Sequence, residues 1–207
     1  MPNPNYAVST ELDAVNQILS SVGQAPVTTL DMQNPEVYTT LQTLREVSRN
    51  LQAEGWVFNT ERRVKFTPRA DKTIALEFDI LQIDASRDMH RDTYNLIQKK
   101  RLLYDKYNHT NEFDEDIYCD VVYYYDFNDL PYAFQAHIQA KAARQIALKL
   151  VGDQELVRLL SIDEEMTKQA MMEYETQQGD YSMFGWKDGY NTYSSYKPFQ
   201  ALARWQQ

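Results

Sequence analysis

Residues 128–178 read NDLPYAFQAHIQAKAARQIALKLVGDQELVRLLSIDEEMTKQAMMEYETQQ. This stretch decides the fold, because it holds the two longest helical repeats of the chain with a single glycine between them. Phe134, Ile138, Ala142, Ile146 and Leu150 recur every fourth residue with Leu148 and Val151 beside them, a spacing that gathers an apolar stripe on one side of a helix. Pro131 opens that helix, where a missing N–H has no helical partner to lose, and Asn128 or Asp129 is expected to cap the first free N–H groups. Gly152 closes it. Asp153 opens a second helix with Leu156, Leu159, Leu160, Met166, Ala170 and Tyr174 at helical spacing, and with Asp163, Glu164, Glu165, Glu173 and Glu175 as an acidic outer face. The plain reading is a helical hairpin that serves as core scaffold.

Working outward, the N-terminal part repeats the same pattern. Residues 1–8 carry two prolines and two asparagines and read as an extended arm. Ser9 or Thr10 caps a helix with Leu12, Val15, Ile18, Leu19 and Val22 on its apolar face, stopped by Gly23 and Pro26. After a connector over Val27 to Asn34, Pro35 opens a second helix with Val37, Leu41, Leu44, Val47 and Leu51, ending at Gly55. Two such helices bury little alone, so they are expected to pack on the 128–178 hairpin in a bundle built from both ends of the chain.

Between those ends the period changes from helical to alternating. Val64 and Phe66, then Leu76, Phe78, Ile80 and Leu81, alternate with charged neighbours and read as short strands. Tyr94, Leu96 and Ile97 lead into Gln98-Lys99-Lys100, and Leu102, Leu103 and Tyr104 follow, a β-hairpin without the usual Asn-Gly turn. Asn108 to Asp116 is a polar loop, and Ile117 to Phe127 is rich in β-branched and aromatic residues, the clearest strand. The expected fold is therefore α+β, with a discontinuous helical bundle of residues 1–60 and 128–180, an inserted small antiparallel β-domain of residues 61–127, and an extended aromatic C-terminal segment of residues 181–207. That last segment has no clean period, and an aromatic but irregular segment is expected to pack on its own domain or on a partner.

The composition narrows the function classes. Lys and Arg total 21 against 30 Asp and Glu, a net charge of -9, so the molecule repels a phosphate backbone at long range. No apolar run approaches the roughly 20 residues that cross a bilayer, and Met1 to Glu11 lacks the pattern of a signal peptide. The single cysteine, Cys119, has no internal partner and suits a reducing cytosol. The 15 tyrosines suit either large half-wet interfaces or a β-rich middle that uses tyrosine as a strand residue.

Catalytic patterns are scarce. His90, His109 and His137 have no i,i+4 partner, and neither a Gly-x-Ser-x-Gly elbow nor a glycine-rich phosphate loop is present, so no metal or other cofactor is expected. Cys119 lies inside the expected strand as a small hydrophobe. Acids abound at 111–116 and 163–165, and a pair such as Glu112 with Asp116 keeps open a tail-associated hydrolase acting on cell-surface polysaccharide. An ordinary cytosolic binding module is a third reading. Lys99, Lys100 and Arg101 at the hairpin tip either keep a sheet edge soluble or dock on an acidic partner.

Several blocks together resemble a known family. Glu11-Leu-Asp-Ala-Val-Asn-Gln-Ile-Leu19 with Gly23-Gln-Ala-Pro-Val-Thr-Thr-Leu30, Gly55-Trp-Val-Phe-Asn59, Leu130-Pro131 leading to Lys141-Ala-Ala-Arg-Gln145, and Met172-Glu-Tyr-Glu175 with Gly179-Asp-Tyr-Ser-Met183 resemble the tail tubular protein A family of short-tailed phages. The resemblance runs over about residues 9 to 184. It implies a virion protein without enzymatic activity, made in the host cytoplasm: a head-to-tail adaptor, or gatekeeper, in a ring of twelve copies. Its implied partners are the portal protein above, the tail nozzle protein (tail tubular protein B) below, and tail fibres, with DNA passing the ring unbound during retention and ejection. On that footing Trp186, Tyr190, Tyr193, Tyr196, Phe199 and Trp205, with Lys99, Lys100 and Arg101, are the expected interface anchors. Asp163, Glu164 and Glu165 are the expected channel lining. The sequence departs from the family pattern at Gln177-Gln178 and in a longer, tyrosine-rich tail, which leaves the tail's partner open among portal, neighbouring copy and nozzle.

Overall fold

In chain order the elements are α1 (Glu11–Ser21), α2 (Pro35–Gln52), β1 (Thr60–Phe66), β2 (Ile80–Ala85), β3 (Leu96–Lys99), β4 (Leu102–Asp105), β5 (Ile117–Tyr123), α3 (Tyr132–Ile146), α4 (Gln154–Gly179), β6 (Trp186–Lys187) and β7 (Tyr190–Asn191). The computed structural model describes residues 10–86, 89 and 93–179, together with the backbone of β6 and β7. The fold is α+β: helices form one layer around an apolar core, and small antiparallel sheets form the rest.

Local chemistry starts and stops the helices. Thr10 and Asp13 exchange side-chain and backbone hydrogen bonds at 3.2 Å each, a capping box that opens α1. Asn34 accepts from the Glu36 N–H at 3.0 Å to open α2, and Asp153 accepts from Glu155 at 2.9 Å to open α4. Gly23, Gly55 and Gly152 end their helices with φ of +76, +78 and +71°. At Gly55 a side chain meets a neighbour as well, because an added Cβ lies 3.3 Å from Val122 Cγ2, whereas Gly152 faces open space. Gly55→Ala should therefore cost about 1–2 kcal/mol of backbone strain plus a contact penalty, and shift the urea midpoint further than Gly152→Ala does.

The expected cap of α3 is different in the structure. Residues Phe127–Asp129 form a 3-10 turn, and Pro131 precedes α3 with no side-chain cap. The Phe134 and Gln135 N–H groups bond the Pro131 carbonyl instead, at 2.9 and 3.1 Å. Asn128 Oδ1 turns away and accepts from the Glu11 N–H at 2.9 Å, 117 residues off in sequence. It serves the first turn of α1, tying the two ends of the chain together.

The apolar stripe of α3 is also cut short. Phe134, Ile138, Ala142 and Ile146 are fully buried, but the chain then winds into a π turn over Ala147–Val151, closed by a Gly152 N–H to Ala147 carbonyl bond of 2.9 Å. One extra residue in that turn swings Leu148, Leu150 and Val151 off the stripe, and they stand 61, 42 and 48 % exposed. Only part of the apolar set on α4 faces inward. Leu160 and Met171 are buried with Leu156, Val157 and Tyr174 packed beside them, while Leu159, Met166 and Ala170 point outward. Leu159 and Leu160 are successive residues about 100° apart around the helix, so they cannot both face the bundle.

β5 is the central strand of the order β1-β5-β2, antiparallel to both neighbours, and β3 pairs with β4 as a hairpin. Two strand expectations shift. β5 ends at Tyr123, and Phe127 beyond it is buried among the helices. β2 begins only at Ile80; Leu76 is buried through a backbone bond from its N–H to the Arg101 carbonyl at 2.9 Å, and Phe78 is 86 % exposed. The β3–β4 turn is Lys100-Arg101, one step later than the spacing suggests, with φ of +52 and +62°. Both central residues at positive φ match the twist of a two-residue hairpin, here without glycine or asparagine.

Buried side chains form two clusters. Phe134 anchors the helical one, into which Trp56, Phe58 and Tyr125 reach. The other fills the sheet with Ile74, Leu96, Leu103, Phe113, Ile117, Cys119 and Val121. Gln52 and Asn59, each fully buried, span the junction between α2 and the exit of β5.

Candidate interaction surfaces

The hairpin tip is built by the two-residue Lys100-Arg101 turn. The Arg101 guanidinium carbon lies 3.0 Å from the centre of the Phe78 ring, and Lys99 Nζ lies 4.1 Å from that of Tyr104. Cations stacked on aromatic faces this way keep their charge outward while covering apolar surface. Arg69, Leu76, Glu77, Phe78, Asp79, Lys100 and Arg101 line one open cleft beside the turn, so cations and acids share it. The sequence pattern marks the three cations but places Phe78 in a strand; the acidic residues on either side of it, Glu77 and Asp79, are the signal for exposure.

The second surface is the outer side of α4 and the π turn. Leu159, Ile162 and Met166 follow i, i+3, i+7 spacing and are 55, 50 and 65 % exposed. With Leu148, Leu150 and Val151 nearby in the chain, a helical hairpin that buries one apolar side presents another to solvent. Asp163, Glu164 and Glu165 do not share a face. Asp163 and Glu165 are exposed, whereas Glu164 turns toward α3 and pairs with the Arg144 guanidinium. Glu175, expected on the outer face, is buried and accepts the Val57 N–H at 2.9 Å, joining α4 to the turn that leads into β1.

The carboxylate pair offered for hydrolysis is arranged for other work. Asp116 sits 2.7 Å from Lys65 Nζ, and that hydrogen bond, with a second from Thr67, holds its carboxyl below the ordinary range. A general acid needs the opposite, a proton retained near neutrality by burial. Glu112 is exposed, with its N–H bonded to Thr110 Oγ1 at 3.1 Å. His137 is packed in α3 with Nδ1 3.4 Å from Thr167 Oγ1, and burial lowers its pKa. Among the described residues no three His, Cys, Asp or Glu side chains gather as a metal site. Cys119 is fully buried in β5, and desolvation pushes its thiol pKa up to about 12. A maleimide should leave the native chain unlabelled at pH 8 and label it once in urea; fast native labelling would show that β5 opens.

Of the expected aromatic anchors, Trp186 and Tyr190 lie in the short ladder in which Trp186 pairs with Asn191 and Lys187 with Tyr190. That pairing gives strand structure to a segment read from sequence as irregular. Tyr193, Tyr196, Phe199 and Trp205 lie outside the described residues. No helix among the described residues is long and apolar enough to cross a membrane.

Comparison with known proteins supplies the context for these surfaces. A family model described as tail tubular protein matches residues 12–181. The tail tubular protein A of Klebsiella phage KP34 is 31 % identical over 122 residues, which cover 58 % of this chain and 62 % of that protein.

Proposed function

Because this chain belongs to the tail tubular protein family, a structural component of the phage tail, we propose that it is the head-to-tail adaptor: a ring of copies that joins the portal to the tail nozzle and surrounds the path of the DNA. The observation that carries this reading is the extent of the family match, which takes in α2 to α4, the three-stranded sheet, the β3–β4 hairpin and nearly all of α1. The net charge of -9 supports passage of DNA without grip, since an acidic ring repels the phosphate backbone. The exposed apolar stripe on α4, and exposed Phe78 beside the hairpin tip, support a part made to be covered by neighbours. Its mechanism is mechanical: contacts weak in a single pair become strong when many copies engage one ring together.

Negative-stain electron microscopy of the chain mixed with its portal protein tests the proposal. Portal rings should lengthen by one layer that contains this chain; portal rings that stay bare while both proteins are folded would overturn the adaptor role. Polysaccharide hydrolysis is the weaker reading, because one acid of the pair must be kept protonated by burial, and neither exposed Glu112 nor Asp116, bonded to Lys65, is buried.

A further inference from the structure

The exposed stripe of α4 and the exposed Phe78 beside the β3–β4 turn carry rims of opposite net charge, and we infer that the β3–β4 hairpin tip of one copy, with Phe78, docks on the outer stripe of α4 in the next copy. The inference rests on the ring reading above and names the contact between its members.

One half of the contact is the stripe of Leu159, Ile162 and Met166, each at least half exposed on a helix whose opposite side is packed into the bundle. Asp163 and Glu165 flank the stripe, and both are exposed. The other half is Phe78, 86 % exposed, with Arg101 over its ring and Lys100 beside it at the turn. The two positive-φ residues of a two-residue turn hold that tip in one shape, so little backbone freedom is lost when it docks. An aromatic knob whose rim carries Arg69, Lys100 and Arg101 against Glu77 and Asp79 thus meets an aliphatic stripe whose rim carries Glu155, Asp163 and Glu165 against Arg158.

Neither surface suits a copy of itself. Two α4 stripes laid antiparallel about residue 164 would set Glu155 against Glu173 and Asp163 against Glu165, acid on acid at both pairs, with Arg158 opposite Ala170. Two tips would set against one another two rims in which Arg69, Lys100 and Arg101 outnumber Glu77 and Asp79. The contact is therefore heterologous, one surface of each copy meeting the other surface of the next, and a heterologous contact repeated with the right rotation closes a ring. It also assigns Asp163 and Glu165 to the seam between copies and not to the channel wall.

Disulfide trapping in assembled rings tests the contact, using the full chain with portal protein. The single native cysteine is buried in β5 and stays out of the reaction. A chain carrying both Phe78→Cys and Ile162→Cys should give, on oxidation, a ladder of covalent multimers, while either single substitution gives none. Rings that assemble and yield no ladder overturn the contact and leave the adaptor role standing. Dimers from Ile162→Cys alone overturn it in favour of stripe against stripe. Failure of the unsubstituted chain to form rings removes the adaptor reading and the contact with it. In a second arm, Lys100→Glu with Arg101→Glu should abolish ring formation by an otherwise folded chain, as judged by circular dichroism. Adding Asp163→Lys and Glu165→Lys to the same chain should restore rings, and a charge-reversed tip that assembles normally overturns the proposal.

Discussion

Phe134→Ala is expected to destabilise the chain by about 3–5 kcal/mol, the largest effect of any single truncation in the helical core. The ring is fully buried and is the hub of an aromatic cluster, with centroids of Phe58, Trp56 and Tyr174 at 4.5, 5.2 and 6.2 Å in tilted or edge-on geometry. These neighbours come from the segment before β1 and from α4, so they cannot collapse together into the vacated space without moving whole elements. The cost therefore combines lost transfer energy with a persistent cavity. For a chain of this size that corresponds to roughly 6–20 °C in the thermal midpoint. Trp56 lies against Phe134 and donates from its ring N–H to the Leu51 carbonyl at 2.7 Å, so tryptophan fluorescence reports the loss directly. Phe134→Leu, which keeps most of the volume, should fall between the two. A Phe134→Ala chain that melts within about a degree of the parent would mean that this cluster is not what holds the helices.

The second large effect is expected at Asn59. Its Nδ2 donates to the Gln52 and Tyr123 carbonyls at 2.9 and 2.8 Å, and its Oδ1 accepts from the Trp56 N–H at 2.8 Å. Gln52 continues the clasp: its Nε2 donates to Ser48 Oγ and the Tyr125 carbonyl, both at 3.0 Å, and its Oε1 accepts from the Tyr125 N–H at 2.8 Å. Both amides are shielded from water, so Asn59→Ala strands buried backbone groups that cost about 1–3 kcal/mol each when unpaired. A net loss of about 3 kcal/mol in urea denaturation is the expected result. Asn59→Asp should do no better at neutral pH, because an ionised carboxylate has no proton to give the two carbonyls. Since Gln52 and Asn59 share one network, Gln52→Ala combined with Asn59→Ala should cost less than the sum of the two; strict additivity would show that the amides act independently.

These two sites differ in how far they could be read in advance. Phe134 stands at the head of a four-residue repeat, and repeats of that kind mark buried positions without any knowledge of the partner. Asn59 lies in the Gly55-Trp-Val-Phe-Asn59 block, visible through family resemblance, but its role is not. What it holds is the backbone at Gln52 and Tyr123, and the second of these is 64 residues away. The same division runs through the caps. Thr10, Asn34 and Asp153 bond N–H groups within three residues of themselves, so side-chain type and position were sufficient. Asn128 looked like a cap for α3 and instead serves α1, because the rigid Pro131 start left it free and the bundle brought Glu11 within reach.

The interaction surfaces were legible as chemistry and not as geometry. Lys99, Lys100 and Arg101 were identified as a cationic hairpin tip, and the structure adds Phe78, which no strand covers. The acids at 163–165 were seen as a cluster, yet consecutive helical residues diverge, and Glu164 went to Arg144.

By itself, the sequence determined what depends on near neighbours in the chain: where α1, α2 and α4 start, that the middle is β, that Cys119 stands alone, and which family the chain belongs to. Tertiary structure decided which apolar residues are buried where a helix carries more of them than one contact can cover. α4 carries aliphatic residues around more of its circumference than one contact can cover, and the π turn after α3 displaces three more. Periodicity states which residues share a face; only the position of α2 and α3 determines which face meets the core and which meets solvent, because burial is a property of the pair of surfaces and not of either one.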